Sequence, residues 1–173
     1  MRATIVVTSF ILVTLSGANN QADTCKCVYP WPPGCNKVCS VGGQFTGTWK
    51  LNDAKSKFSL GVPKNSTVVY EVAGESVKVT TDGMGADGKP THTEWTGKFD
   101  GKDYPVTGDP NVDVRSVKKV DDYTLTLTQK KGDKVTTTGK VVLSADGKTR
   151  TVTISGTDAS GKKVSSTAVY DKQ

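Results

Sequence analysis

From residue 45 to the C-terminus the chain alternates apolar and polar positions with a period of two, the spacing of a half-buried β-strand. Tyr123-Thr124-Leu125-Thr126-Leu127-Thr128 places apolar residues on one face and threonines on the other, and Thr151-Val152-Thr153-Ile154 repeats the pattern. Thr91, Thr93, Trp95, Gly97 and Phe99 share one face of another segment, with His92, Glu94, Thr96 and Lys98 opposite. Asp-Gly pairs, the strongest short hairpin signal, interrupt the pattern at Asp82-Gly83, Asp87-Gly88, Asp100-Gly101 and Asp146-Gly147. Weaker breaks fall at Gly74-Glu75, Gly108-Asp109, Asp121-Asp122, Gly132-Asp133 and Ser160-Gly161. The spacing predicts ten strands, near 45–51, 66–73, 76–82, 90–99, 102–107, 112–120, 123–130, 134–143, 148–155 and 162–170. Only 52–58 reads as a helical turn, with Asn52 or Asp53 as its cap.

Short connections make neighbouring strands antiparallel. The expected fold is all-β: an antiparallel up-and-down meander of about 8–10 strands, closed into a barrel because closure removes the two exposed edges of an open sheet. Large aliphatic residues are sparse after residue 44: Leu51, Leu60, Leu125, Leu127, Leu143 and Ile154. Valine, threonine and serine therefore line much of the interior. Either the barrel flattens around a small core or it keeps a partly polar, hydrated cavity.

The N-terminal part is different. Arg2 precedes an apolar run of eleven residues, Ile5 to Leu15, and Ser16-Gly17-Ala18 follows with small side chains. This is the layout of a secretory signal peptide, cut after Ala18 or Ala22. Eleven helical residues rise only about 16 Å, against about 30 Å of bilayer core, so no membrane span is expected after cleavage. Three zones result: a signal peptide at 1–22, a Cys/Pro-rich segment and linker at 23–44, and the β-barrel domain at 45–173. The expected location is secreted or periplasmic. In that setting Cys25, Cys27, Cys35 and Cys39 are expected to form two disulfides, paired 25–35 with 27–39 or 25–39 with 27–35. Between them, Tyr29-Pro30-Trp31-Pro32-Pro33-Gly34 carries two aromatics on a proline-stiffened backbone. Tyr29 and Trp31 either pack over a barrel end or contact a protein or glycan.

Phe45-Thr46-Gly47-Thr48-Trp49-Lys50-Leu51 opens the domain. A Gly-x-Trp at the head of a β-meander resembles the opening signature of lipocalins and fatty-acid-binding proteins. In such a motif glycine lets the backbone pass close under the barrel floor while the indole plugs that end. Gly47 and Trp49 are therefore expected to form the barrel-end plug. Ala168-Val169-Tyr170-Asp171 is similar to the closing strand of a fatty-acid-binding protein. That resemblance implies a carboxylate held by an Arg-x-Tyr pair, but Ala168 stands at the Arg position and Tyr170 alone remains. The phrases Gly47 to Asn52, Lys55 to Phe58 and Gly101 to Pro110 resemble bacterial exported proteins of no assigned activity.

The chain has 23 Lys and Arg against 17 Asp and Glu, net +6 at pH 7, about +5 once Arg2 leaves with the signal. The lysines interleave with Asp and Gly at turns, which makes a solvated rim. Without stacking aromatics between them, no nucleic-acid partner is expected. His92 is the only histidine, and with Glu94 it supplies two of the three or four ligands a metal site needs. No nucleophile has a base in a recognisable local signature, so neither an enzyme, a metal nor a cofactor is expected.

The leading reading is an exported, lipocalin-like binding protein for a small, partly apolar ligand. The alternative is a non-catalytic structural or protein-interaction module of the cell envelope or secretome. Candidate ligand-binding residues are Trp95, Phe99, Tyr104, Tyr123, Leu125, Leu127, Arg150 and Tyr170. Arg115 and Arg150 are the arginines left after Arg2, and Arg150 shares strand parity with Val152 and Ile154. Ala168 implies a ligand that is neutral or only weakly anchored by charge.

Overall fold

The computed structural model describes residues 42–59, 62–157, 161 and 163–173, together with the backbone of 25–27 and 37–39. The signal-peptide expectation, Tyr29, Trp31, Cys35 and all the cysteine side chains lie outside the described residues. Strands β1 (Cys25–Cys27) and β2 (Lys37–Cys39) pair antiparallel, with Cys25 opposite Cys39.

The domain is a closed antiparallel barrel. After a 3-10 turn at Gly43–Phe45, the chain runs through β3 (Gly47–Leu51), a second 3-10 turn at Asp53–Lys55, β4 (Lys57–Phe58), β5 (Lys64–Ala73), β6 (Ser76–Met84), β7 (Pro90–Gly97), β8 (Asp100–Thr107), β9 (Val114–Asp121), β10 (Thr124–Lys131), β11 (Lys134–Leu143), β12 (Thr149–Thr157) and β13 (Lys163–Lys172). Each strand from β5 to β12 pairs antiparallel with its successor. β3 pairs with β5, and β13 pairs with β3 and β4 as well as with β12, which closes the ring. The wall thus has ten staves, the first made of β3 and β4 together.

That first stave is broken where the helical turn is expected. Asn52 caps it by accepting a hydrogen bond from the Lys55 N–H. Ser56 Oγ donates to the Asn52 carbonyl at 2.7 Å and accepts from the Val169 N–H at 2.9 Å, so both sides of the break stay tied to β13.

One hairpin expectation is corrected here. Asp82-Gly83 is not a hairpin turn; it lies within β6, and the turn follows at 85–88. The partner strand shifts register between Asn65 and Thr67, and a Cβ on Gly83 would come 2.2 Å from the Lys64 carbonyl oxygen. The glycine serves a close backbone approach at a bulge. Asp100-Gly101 does fall at the β7–β8 turn, because the pairs Glu94–Thr107 and Trp95–Val106 centre that hairpin on these two residues; the register against β9 shifts just after it, before Asp103.

Inward positions hold the core. Phe45, Trp49, Val68, Val77, Val79, Trp95, Val106, Val112, Val117, Leu125, Val141, Leu143, Ala168 and Tyr170 are buried. The large rings gather at one end, the floor, where the chain enters. Trp49 is fully buried, and its Nε1 donates to the Phe45 carbonyl at 2.9 Å. Gly47 has φ +117°, open to glycine and strained for other residues. The Lys172 stem occupies the space that a Gly47 side chain would take, with Cε 3.1 Å from the ideal Cβ position. Lys172 Nζ reaches across to donate to the Gln44 carbonyl at 3.2 Å and lies 5.2 Å from the Trp49 ring centroid.

Candidate functional site

Most of the candidate residues meet inside the barrel. Trp95 on β7 is buried, because Gly97 leaves room: a Cβ there would come 2.5 Å from the indole and 2.7 Å from the Tyr104 ring. Trp95 Nε1 donates to the Arg115 carbonyl at 3.0 Å, and its ring stacks on Phe99 and meets Tyr104 edge-on. Phe99 also contacts Phe45 edge-to-face. Leu125 is buried, and Leu127 and Tyr104 pack half-buried against the same core. Tyr104 donates its hydroxyl to Asp100 at 3.0 Å. Desolvation alone would raise Asp100, but a backbone bond from Lys102 and the Tyr104 hydroxyl together hold it below the usual carboxylate range; burial and the Asp100 contact push Tyr104 above the usual phenol value.

Tyr123 is the exception. It is 41 % exposed and lies in the turn before β10, its N–H bonded to the Asp121 carboxylate. A register shift between Thr124 and Leu125 interrupts the alternation that places Tyr123 with Leu125, and Thr124 is buried instead.

The floor carries a cation. Arg150 on β12 is 2 % exposed and stands directly across from Tyr170 on β13. Its Cζ lies 4.5 Å from the Tyr170 ring centroid, 5.0 Å from Tyr70 and 5.2 Å from Trp49. Nε and Nη1 are buried without a hydrogen-bond partner among the described residues. Burial pushes the Tyr170 hydroxyl up to about 12, Arg150 opposing the shift and Tyr70 adding to it. The phenol therefore stays protonated and able to donate.

Arg115 on β9 is a second inward-facing cation, sharing parity with buried Val117. With its amide oriented oxygen-first, Gln129 accepts from Arg115 Nε at 3.1 Å and Nη2 at 2.7 Å. Burial holds the Arg115 guanidinium below the usual arginine range, while Tyr70 and Asp109 pull it back up. Sequence reasoning gave Arg150 the better claim and passed over Tyr70 and Gln129. In Val114-Arg115-Ser116-Val117 and Val68-Val69-Tyr70 apolar residues occupy both parities, so only the register tells inside from outside.

Toward the opposite end, the mouth, inward positions shrink. Thr81, Thr93, Gly156 and Ser166 line the wall, and the inward-facing Val152, Ile154, Leu127 and Phe58 are only half-buried. Two open grooves of about 500 and 510 Å³ lie on β11, β12 and the start of β13, one lined by Thr138, Lys140, Val142, Thr151 and Thr153, the other by Val135, Thr137, Gly156 and Val164.

On the outer wall several lysines meet carboxylates across strands. Lys78 pairs with Glu94 at 2.6 Å, Lys98 with Glu75 at 2.7 Å, Lys130 with Asp103 at 2.6 Å and Lys131 with Asp113 at 2.6 Å. Their lysine partners hold Glu75, Glu94 and Asp113 below the usual carboxylate range. His92 is exposed, 2.6 Å from Asp82 and 3.9 Å from Glu94. Among the described residues no group of three or more His, Cys, Asp or Glu is placed to hold a metal. No helix among them is long and apolar enough to cross a membrane.

No protein-family model matches the chain, and no curated protein does. Among solved structures it is similar to a redesigned β-barrel, mFAP1, bound to DFHBI, at 14 % identity and TM-score 0.42 over 75 % of this chain and 95 % of that one. It is also similar to a fluorescence-activating β-barrel of de novo design, at 11 % identity and TM-score 0.40 over 78 % of this chain and 99 % of that one.

Proposed function

We propose that this protein is an exported, lipocalin-like binding barrel that takes a small, partly apolar ligand into its interior and does not transform it. The carrying observation is the uneven filling of the wall. Large rings close the floor, while toward the mouth Thr81, Thr93, Gly156 and Ser166 face inward and Val152, Ile154, Leu127 and Phe58 stay half-buried. A ring of eight strands is just wide enough for side chains to fill or for one small ligand, and ten staves with small residues leave more room. Apolar walls with a few convergent polar groups are the usual make-up of a ligand pocket. The leader-like residues 1–22 support export to a secreted or periplasmic location.

The test is a fluorescence titration with the neutral probe N-phenyl-1-naphthylamine. Saturable one-to-one binding is expected, weakened at least tenfold by Ser166→Phe, with the thermal transition of the barrel retained. A folded wild-type protein that binds no probe would shift the reading to the interaction module, for which the open outer groove of β11 and β12 at Thr138, Lys140, Val142, Thr151 and Thr153 is the favouring feature.

A further inference from the structure

Inside the barrel the charges are unbalanced. Every described ion pair joins a lysine or His92 to a carboxylate, and none includes Arg115 or Arg150. No Asp or Glu among the described residues is buried. Neither guanidinium has an ion-pair partner among the described residues, half-buried Asp109 acts on Arg115 without forming an ion pair, and arginine does not escape the cost by losing its proton.

Arg150 is the sharper case. Trp49, Tyr70 and Tyr170 offer it π-faces, which attract a cation but supply no acceptor in the guanidinium plane. Nε and Nη1 are buried donors with no acceptor among the described residues, an arrangement that native structures rarely leave unmet. At Arg115 the Gln129 oxygen satisfies two donors and Asp109 offsets part of the charge, so this site is the more nearly balanced of the two. Tyr70 links the two sites: its ring lies against Arg150, and it is near enough to Arg115 to act on its charge.

We propose that the ligand is an organic anion whose oxyanion group enters the plane of the Arg150 guanidinium, with Arg115 as the second cation of the site. This rests on the binding reading above and names the ligand's chemical class. An in-plane oxyanion satisfies the orphan donors and supplies the missing charge together, and charge-assisted bonds of this kind are the strong ones. Carboxylate, sulfonate and phosphate share the chemistry. The neutral ligand implied by Ala168 gives way, because the cation that the last strand lacks is supplied by its neighbour β12, directly opposite Tyr170.

The experiment compares 8-anilinonaphthalene-1-sulfonate with N-phenyl-1-naphthylamine, which shares its ring frame without the sulfonate. Wild-type protein is expected to bind the sulfonate at least tenfold more tightly. Arg150→Gln should abolish that preference while keeping the neutral probe within about twofold, and Lys140→Gln on the outer groove should change neither. If Arg150→Gln fails to fold, Arg115→Gln carries the test and should reduce the preference severalfold. Displacement by 1-naphthoate or by 1-naphthyl phosphate then separates carboxylate from phosphate. Equal binding of both probes, or a preference that survives both arginine changes, overturns the anion site and leaves the binding barrel standing. Binding of neither probe overturns both.

Discussion

Tyr170 shows how much of the interior is decided by one residue's surroundings. Its hydroxyl, pushed up to about 12 mainly by burial, keeps its proton some two units beyond the ordinary phenol. A group that binds its proton more tightly when folded stabilises the fold fully below the unfolded value near pH 10 and loses that contribution as pH rises through about 12. Two units correspond to about 2–3 kcal/mol. Urea unfolding between pH 9 and 12 should therefore show an alkaline loss of stability that is smaller by about this amount in Tyr170→Phe. An unchanged slope would mean that the phenol is hydrated in the folded protein. Other residues reveal less in the sequence. Trp49 and Gly47 announce themselves by their spacing, while Arg115 and Tyr70 sit in segments whose apolar residues occupy both faces.

At the scale of elements, period two and Asp-Gly punctuation locate all ten staves, because both signals are local backbone chemistry. They fail where a bulge intervenes: Asp82-Gly83 serves a close approach to Lys64, and Tyr123 falls into a turn once the register slips at Thr124. The broken first stave is the element most dependent on side chains. Ser56 Oγ bonds both the Asn52 carbonyl and the Val169 N–H, and Asn52 Nδ2 donates to Asp171 at 2.7 Å. Ser56→Ala removes two bonds at a half-buried seam. It should cost about 1–3 kcal/mol, at the usual 0.5–1.5 kcal/mol per bond, read from the urea midpoint at unchanged m-value. A loss below about 0.3 kcal/mol would show that water replaces the hydroxyl and that the seam is not held by it.

For the whole molecule, the four cysteines all precede the barrel, and no cysteine lies in 45–173. Reducing agent should leave the thermal transition of the barrel in place while freeing four thiols of the mature protein. Peptide mapping before reduction should yield a Cys25–Cys39 product, since these residues face each other in the β1–β2 ladder. Opposed Cα atoms in an antiparallel pair are about 4.5–5.5 Å apart, within the range a disulfide spans. Collapse of the barrel on reduction would show that the N-terminal segment is part of its stability. Recovery of free thiols without reduction would overturn the disulfide expectation.

By itself the sequence determined the strands and their antiparallel order. Those follow from alternation and turn residues, set within a few neighbouring positions. Tertiary structure alone decided how the ring closes, with β13 serving both β12 and the broken first stave, and which charges face inward. Lysines and carboxylates meet across strands on the outer wall, while Arg115 and Arg150 turn in and form no ion pair among the described residues. Pairing of that kind joins residues far apart in the chain. A strand's alternation states which side chains share a face, but only the register of its neighbours states whether that face meets water, a carboxylate or a ring.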